Sequence, residues 1–238
     1  MLATGCSATV GGAAQPPANL ALRFLHGQTL KRVLLGESAL SRMVKEPVEI
    51  DPRSPPLFGG PEMLPGDAGW SGDCLGVAVM MHGAAYRSAN VKDVALEAWR
   101  PDAVPAATVS AVEEAAIGLP TAADANALFA TFSRQWQDCD GKTVPIVGGT
   151  LPLEVKVSNV QSATSVVAAT ISTEWSAPAL VSPSIPAARA IGVRDNCLIE
   201  VEVDFGSTPI ASQKGSGDIN TSALDIAQVM RDKVGALS

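Results

Sequence analysis

The sequence predicts an α+β fold, an antiparallel β-sheet in a single domain with helices packed mainly on one face. Three observations carry this expectation. Segments of apolar periodicity two follow one another through short connections, which favours antiparallel pairing. Helical stretches stand at the start, middle and end of the chain instead of alternating with the strands. The length, 238 residues, suits one domain.

Composition agrees. Apolar residues make up 47% of the chain and charged ones 17%, with a net charge of −7. So apolar a chain buries a core and is not globally disordered. Apart from the adjacent Lys31-Arg32, lysines and arginines are scattered singly, so no basic run is available for phosphate, and nucleic acid is not expected as a partner. No apolar run reaches the roughly 18 residues of a membrane-spanning helix.

The amino terminus reads Met1-Leu2-Ala3-Thr4-Gly5-Cys6-Ser7. Small residues before a cysteine look like a bacterial lipobox, in which the Gly5–Cys6 bond is cleaved and the Cys6 thiol is acylated. The charged and apolar regions of a signal peptide are missing, so a chance cysteine is the other reading. Residues 7–18 are small, uncharged and rich in Gly and Pro, a flexible tether. Residues 1–18 thus form a lipobox remnant with its tether, and 19–238 the domain. An acylated cysteine behind a tether anchors a protein to a membrane without spanning it.

Within the domain, apolar clusters at Leu20–Leu22 and Val33–Leu35 precede a short helix over Glu37–Lys45. Residues 47–72 read as a long loop, and 74–86 as a buried helix weakened by Gly76 and Gly83. Val91–Trp99 alternates with period two, and Thr108–Ile117 is a second strand. Thr121 is an N-cap with Asp124 three residues on. Ala125, Leu128, Phe129, Phe132 and Trp136 then form one helical stripe ending at Cys139. Strands follow over 142–147, 153–160, 165–175, 187–193 and 198–205, the last two joined by an Asp195-Asn196 hairpin turn. Ile199, Val201, Val203 and Phe205 point inward and Glu200, Glu202 and Asp204 outward. A helix over Thr221–Leu237 closes the chain.

Four cysteines stand at 6, 74, 139 and 197. Cys74 and Cys139 match no metal spacing, and no metal or cofactor is expected. In an exported protein they form a disulfide, and in a cytoplasmic one two buried thiols. Cys197 is left as an unpaired thiol, buried or pairing between molecules.

The ordered set of features resembles a known family. It comprises the lipobox-like Cys6, the tether, Leu34-Leu35 before a short helix, Asp73-Cys74, and a helix ending Trp136-x-x-Cys139. Arg189, Asn196-Cys197-Leu-Ile-Glu-Val and a terminal helix complete it. Over roughly residues 30–237 the chain resembles the extracellular sensor domains of mycobacterial PknH-type serine/threonine kinases, a family with free-standing lipoproteins of the LppH kind. The resemblance implies an extracytoplasmic domain with a groove for an unidentified ligand, and a Cys74–Cys139 disulfide. It also implies that Cys197 matches one end of a second bridge of the kinase-linked members, whose other end falls near Leu153. This sequence has no cysteine there, so the second bridge is absent here.

Candidate chemistry is thin. Gly36-Glu37-Ser38-Ala39-Leu40 resembles a nucleophile elbow but has leucine where the tight turn wants glycine. Glu97, Glu200, Glu202 and Asp204 read as paired carboxylates for acid–base work, or more plainly as a solvated strand face. Trp99 and Trp175 are groove-wall aromatics, or for Trp99 a contact under the 47–72 loop, and Arg189 joins them as a ligand-binding residue. The expected function is therefore a non-catalytic cell-envelope lipoprotein on the outer face of the cytoplasmic membrane. Its partners are that membrane, through the lipid, and a small ligand or envelope protein. The alternatives are a serine hydrolase using Ser38 and a purely structural interaction module.

Overall fold

A computed structural model describes residues 24–65, 72–102, 107–146, 152–175, 184–206 and 218–238. Cys6 and the tether 7–18 lie outside them. A 3-10 helix (Gly27–Val33) opens the described chain, and α1 (Glu37–Val44) follows. The segment expected as a loop contains β1 (Val48–Ile50), β2 (Leu57–Gly59) and a second 3-10 helix, Pro61–Met63. These strands have only three residues each and flank a proline-rich turn, so no periodicity betrays them. The helix expected over 74–86 is two single turns, α2 (Leu75–Ala78) and α3 (Gly83–Tyr86). The break falls where Met81 adopts φ 54°, a left-handed conformation that costs a non-glycine residue about 1 kcal/mol.

The remaining elements lie close to their expected places. They are β3 (Asp93–Pro101), β4 (Val109–Gly118), α4 (Ala122–Cys139), β5 (Thr143–Ile146), β6 (Leu153–Ala163), β7 (Val166–Trp175), β8 (Ile185–Arg194), β9 (Cys197–Phe205) and α5 (Ser222–Leu237). Thr121 caps α4: its hydroxyl oxygen accepts the Asp124 N–H at 3.1 Å. All strand pairs are antiparallel, in the order β1-β3-β4-β9-β8-β7-β6-β5, with β2 beside β1 on the outer edge of β3.

The α+β class and the antiparallel sheet hold, but helices cover both faces of the sheet, not mainly one. On the first face Ala115, Ile117, Leu198, Ile191 and Val157 pack under α4 residues Leu128, Phe132 and Trp136 and the segment 74–86. On the second, Val112, Ala116, Ile199, Val201 and Val203 pack under Leu30, Leu40 and the α5 residues Ile226, Met230 and Val234. The central strands are therefore buried on both sides, and β9 has apolar residues at nearly every position not occupied by an acid. Two residues hold the chain ends of these layers to the sheet. Glu114, fully buried, accepts the Leu35 N–H at 2.9 and 3.0 Å and the Trp99 indole N–H at 3.3 Å.

Asn196, also fully buried, accepts the Leu25 N–H at 2.9 Å and donates to the Leu25 and Leu119 carbonyls at 3.0 and 2.8 Å. This one amide fastens the start of the domain to the β8–β9 hairpin. Asn196→Ala leaves three buried backbone groups without partners and is expected to cost about 2–3 kcal/mol. Urea denaturation measures this, and a loss below about 0.5 kcal/mol would reject the clamp.

Candidate functional site

The segment Cys74–Asn90 crosses the first face as a strap beside α4. The Cys74–Cys139 disulfide joins them, with Cα atoms 5.7 Å apart. Gly76 permits the close approach: a Cβ there would meet the Gln135 side-chain oxygen at 2.6 Å and the Phe132 ring at 3.0 Å. Along the seam run three hollows. One of about 320 Å³ is bordered by Ser88, Asn90, Asp124, Leu128 and Thr131. A second, about 300 Å³, lies among Asp73, Gly76, His82, Arg87 and Gln135. The third, about 480 Å³, is bordered by Asp73, Gln135, Asp138, Cys139 and Lys142. Neighbouring hollows share Ala85, or Asp73 and Gln135. Together they trace a polar groove along one side of α4, from its first turn to its last.

Beneath the strap lies a buried polar network. The Tyr86 hydroxyl donates to Glu200, as does the Met81 N–H at 3.1 Å. Arg189, fully buried on the neighbouring strand, reaches Glu200 and Glu202 at 2.7 Å each and the Gly76 carbonyl at 3.4 Å. Its guanidinium also stands 5.7 Å from the centre of the Trp136 ring, a cation–π approach. Burial works against the Arg189 charge, but Glu202 and Glu200 more than restore it and raise its pKa. Burial raises the Glu200 pKa, with Arg189 opposing, and lifts Tyr86 well above the usual phenol value.

The network ends in a half-open acidic patch. Glu113 stands directly across from Glu202 on the paired strand, and Asp204 follows Glu202 on the same face and shares a hydrogen bond with it. Burial, then the charges of Glu202 and Glu113, push the Asp204 carboxyl up to about 8. Burial and Glu202 likewise raise Glu113.

These acids read from sequence as a solvated face, and that expectation is corrected. Glu200 is 1% exposed because the strap covers it, and Glu97 lies on the other face of the sheet, across from Glu114. The polar alternation of β9 was visible, but covering by a distant segment leaves no local signal. Tyr86 and Glu114 carried no signal of function either.

The two tryptophans do not meet. Trp99 is buried on the second face against Glu114, whereas Trp175 ends β7 with 42% exposure. Neither borders the groove, and Arg189 lies below it, under the strap. Ser38 is exposed in the first turn of α1, and His82 is buried in the strap on the opposite side of the sheet. Cys197 is a free buried thiol, its pKa pushed up to about 12 by burial, which keeps it unreactive. The position near Leu153 expected for the other end of the family's second bridge does not lie beside it. Cys197 sits at the hairpin end of the sheet in the second core, while Leu153 pairs with Trp175 at the far end of the first. Among the described residues no group of three or more His, Cys, Asp or Glu is placed to hold a metal ion. No helix there is long and apolar enough to cross a membrane.

Buried acids give the fold a pH dependence. Burial raises the Glu114 carboxyl to about 8, with the Leu35 N–H opposing, and Asp204 reaches a similar value. Between the ordinary carboxylate range and that value the unfolded chain has released protons that the folded chain still holds. Stability is therefore greatest near the acidic edge of this window and falls as pH rises. Denaturation at about pH 5 and pH 8 is expected to differ by a few kcal/mol, the acidic sample being firmer. Equal midpoints would reject the protonated state of these acids.

The model of the family described as PknH-like extracellular domain matches residues 25–233. The crystal structure of the extracellular domain of PknH from Mycobacterium tuberculosis is similar in fold, with a TM-score of 0.65 and 18% identity. That match covers 90% of this chain and 98% of the other. An uncharacterized protein from Mycobacterium smegmatis aligns with a TM-score of 0.40 and 11% identity, over 87% of this chain and 96% of that one. No curated protein matches the sequence.

Proposed function

Since the chain belongs to the family of PknH-like extracellular domains, we propose that it serves as a sensor-like, non-catalytic binding domain of the cell envelope. The groove between the strap and α4 takes a small polar ligand or a segment of an envelope partner. The observation that carries this reading is the run of three connected hollows beside α4. Their volumes fall at the lower end of the range of small-molecule sites. The hollow at the end of α4 has a mainly polar border with Asp73, Gln135, Asp138 and Lys142. The one at its start mixes Asn90, Asp124 and Thr131 with Leu119, Leu128 and alanines, so the occupant makes hydrogen bonds and ion pairs together with some apolar contact.

In this reading Cys6 is acylated, residues 7–18 act as the tether, and 19–238 is the domain held at the outer face of the cytoplasmic membrane. Catalysis at Ser38 has no support in its surroundings, because the groove and His82 lie on the face of the sheet opposite α1.

Two measurements test the proposal. Native mass spectrometry of protein purified from envelope fractions is expected to show a bound small molecule that is released when Gln135→Trp fills the groove. A ligand that stays bound to that variant rejects the groove. Peptide mass spectrometry of the membrane fraction is expected to find Cys6 acylated at the mature amino terminus. A free Cys6 thiol there rejects the anchor.

A further inference from the structure

The strap is held to the sheet in a particular way. Its two helical turns are too short to be stable alone. Its middle residue Met81 sits at φ 54°, and hollows undercut it on both sides. One of these, of about 290 Å³, is bordered by Gly83, Tyr86 and Arg87, and the other, about 300 Å³, by His82, Ala84 and Ala85. On its underside three polar contacts converge. Tyr86 and the Met81 N–H go to Glu200, and the Gly76 carbonyl to Arg189. Arg189 has a second commitment, because its other terminal nitrogen binds Glu202, and Glu202 in turn shares a hydrogen bond with Asp204.

One guanidinium thus joins the fastening of the strap to a carboxyl pair that reaches the half-open side of the sheet. We propose that this chain of contacts is a proton-operated latch, in which the charge on Asp204, beside Glu202, sets how firmly Arg189 and Glu200 hold the strap over the groove. The latch rests on the groove reading for its consequence, access to the ligand, but its operation is measurable without any ligand.

The direction follows from charge. While Asp204 keeps its proton, Arg189 is shared evenly between Glu200 and Glu202, at 2.7 Å from each. When the proton leaves, a second charge appears beside the Nη1 side of Arg189. The guanidinium is drawn toward β9's outer acids and away from Glu200 and Gly76. Glu200 then loses part of its compensation in a dry site, where a carboxylate is costly. The strap loosens, and relief of the left-handed Met81 conformation favours the same direction.

The groups facing the pair come from every element around it. They are Glu200 on β9 itself, Glu113 on β4 and Arg189 on β8, with Tyr86 on the strap one step further away, at Glu200. Asp51, between β1 and β2, adds its charge at Glu113 and is itself paired with Arg53 at 2.8 Å. Only Arg189 among these opposes the negative charge at Asp204. Ionisation is thereby postponed to about 8, so the latch works around neutral and mildly alkaline pH.

Hydrogen–deuterium exchange of the whole chain, without ligand and corrected for intrinsic rates, tests this between about pH 6 and pH 9. Protection of the Val77–Tyr86 amides, Met81 above all, is expected to fall roughly tenfold across that range, as one pKa unit of coupling requires. The Val201 amide at the centre of the sheet reports global unfolding and should lose protection only as the overall stability falls with pH, so the strap is compared with it at each pH. In Asp204→Asn the strap should stay protected at every pH, and in Glu200→Gln it should be loose at every pH while Val201 is unchanged. Strap protection that does not vary with pH in the native chain, or falls equally in Asp204→Asn, overturns the latch. A strap as protected in Glu200→Gln as in the native chain overturns it too. Failure of the groove shows instead as absence of bound ligand, whatever the exchange pattern.

Discussion

Replacing Cys74 and Cys139 together by alanine is expected to lower the unfolding free energy by about 4 kcal/mol, a large share of the 5–15 kcal/mol typical of a domain. The bridge closes a separation of 65 residues, and the denatured chain gains the conformations that this closure forbids. The native side loses as well, since α2 is a single turn fixed between the bridge and the Gly76–Phe132 contact. Urea denaturation of the native chain and the double variant, each with and without a thiol reductant, measures the effect. The reductant should lower the native chain to the level of the variant and leave the variant unchanged. A difference below about 1 kcal/mol would mean that packing of the strap on α4, not the covalent link, restricts this loop.

Arg189→Met has the second large effect, an expected loss of about 3–5 kcal/mol. The side chain is completely buried and compensates two carboxylates, one of them 1% exposed. Removing the guanidinium leaves Glu200 charged in a dry site with only Tyr86 and the Met81 N–H as donors. The loss should shrink at acidic pH, where Glu200 takes up a proton. It should also shrink in the pair Arg189→Met, Glu200→Leu, which removes both charges. Denaturation of the single and paired variants decides the matter. A paired variant as weak as the single one would show that Arg189 acts by packing against Trp136 rather than by charge.

Much of the architecture is legible in the sequence because its elements are long and periodic. The stripe from Ala125 to Trp136 and the alternation from Ile199 to Phe205 each specify an element without help from distant residues. What escapes is what depends on a second segment arriving. The acids of β9 alternate as a solvated face would, and only the strap, more than 100 residues earlier, makes Glu200 an interior residue. Trp99 shows the same effect, since the 3-10 helix and Leu35 close over it. The three-residue strands β1 and β2 are set by the edge of β3, not by their own composition. For the groove, the sequence shows Asp73 and Asp138 each beside a half-cystine. The seam they border exists only once α4 and the strap lie together.

The clamp at Asn196 gives the molecule a root and a crown. Leu25 is fastened beside the β8–β9 hairpin, and the terminal Ser238 hydroxyl donates to Asp195 of the same hairpin. Entry and exit of the domain therefore share one pole. Asp204 stands seven residues up β9 from Cys197, a rise of roughly 23 Å at the usual strand pitch. The acidic patch therefore lies at the opposite pole from the two ends of the domain.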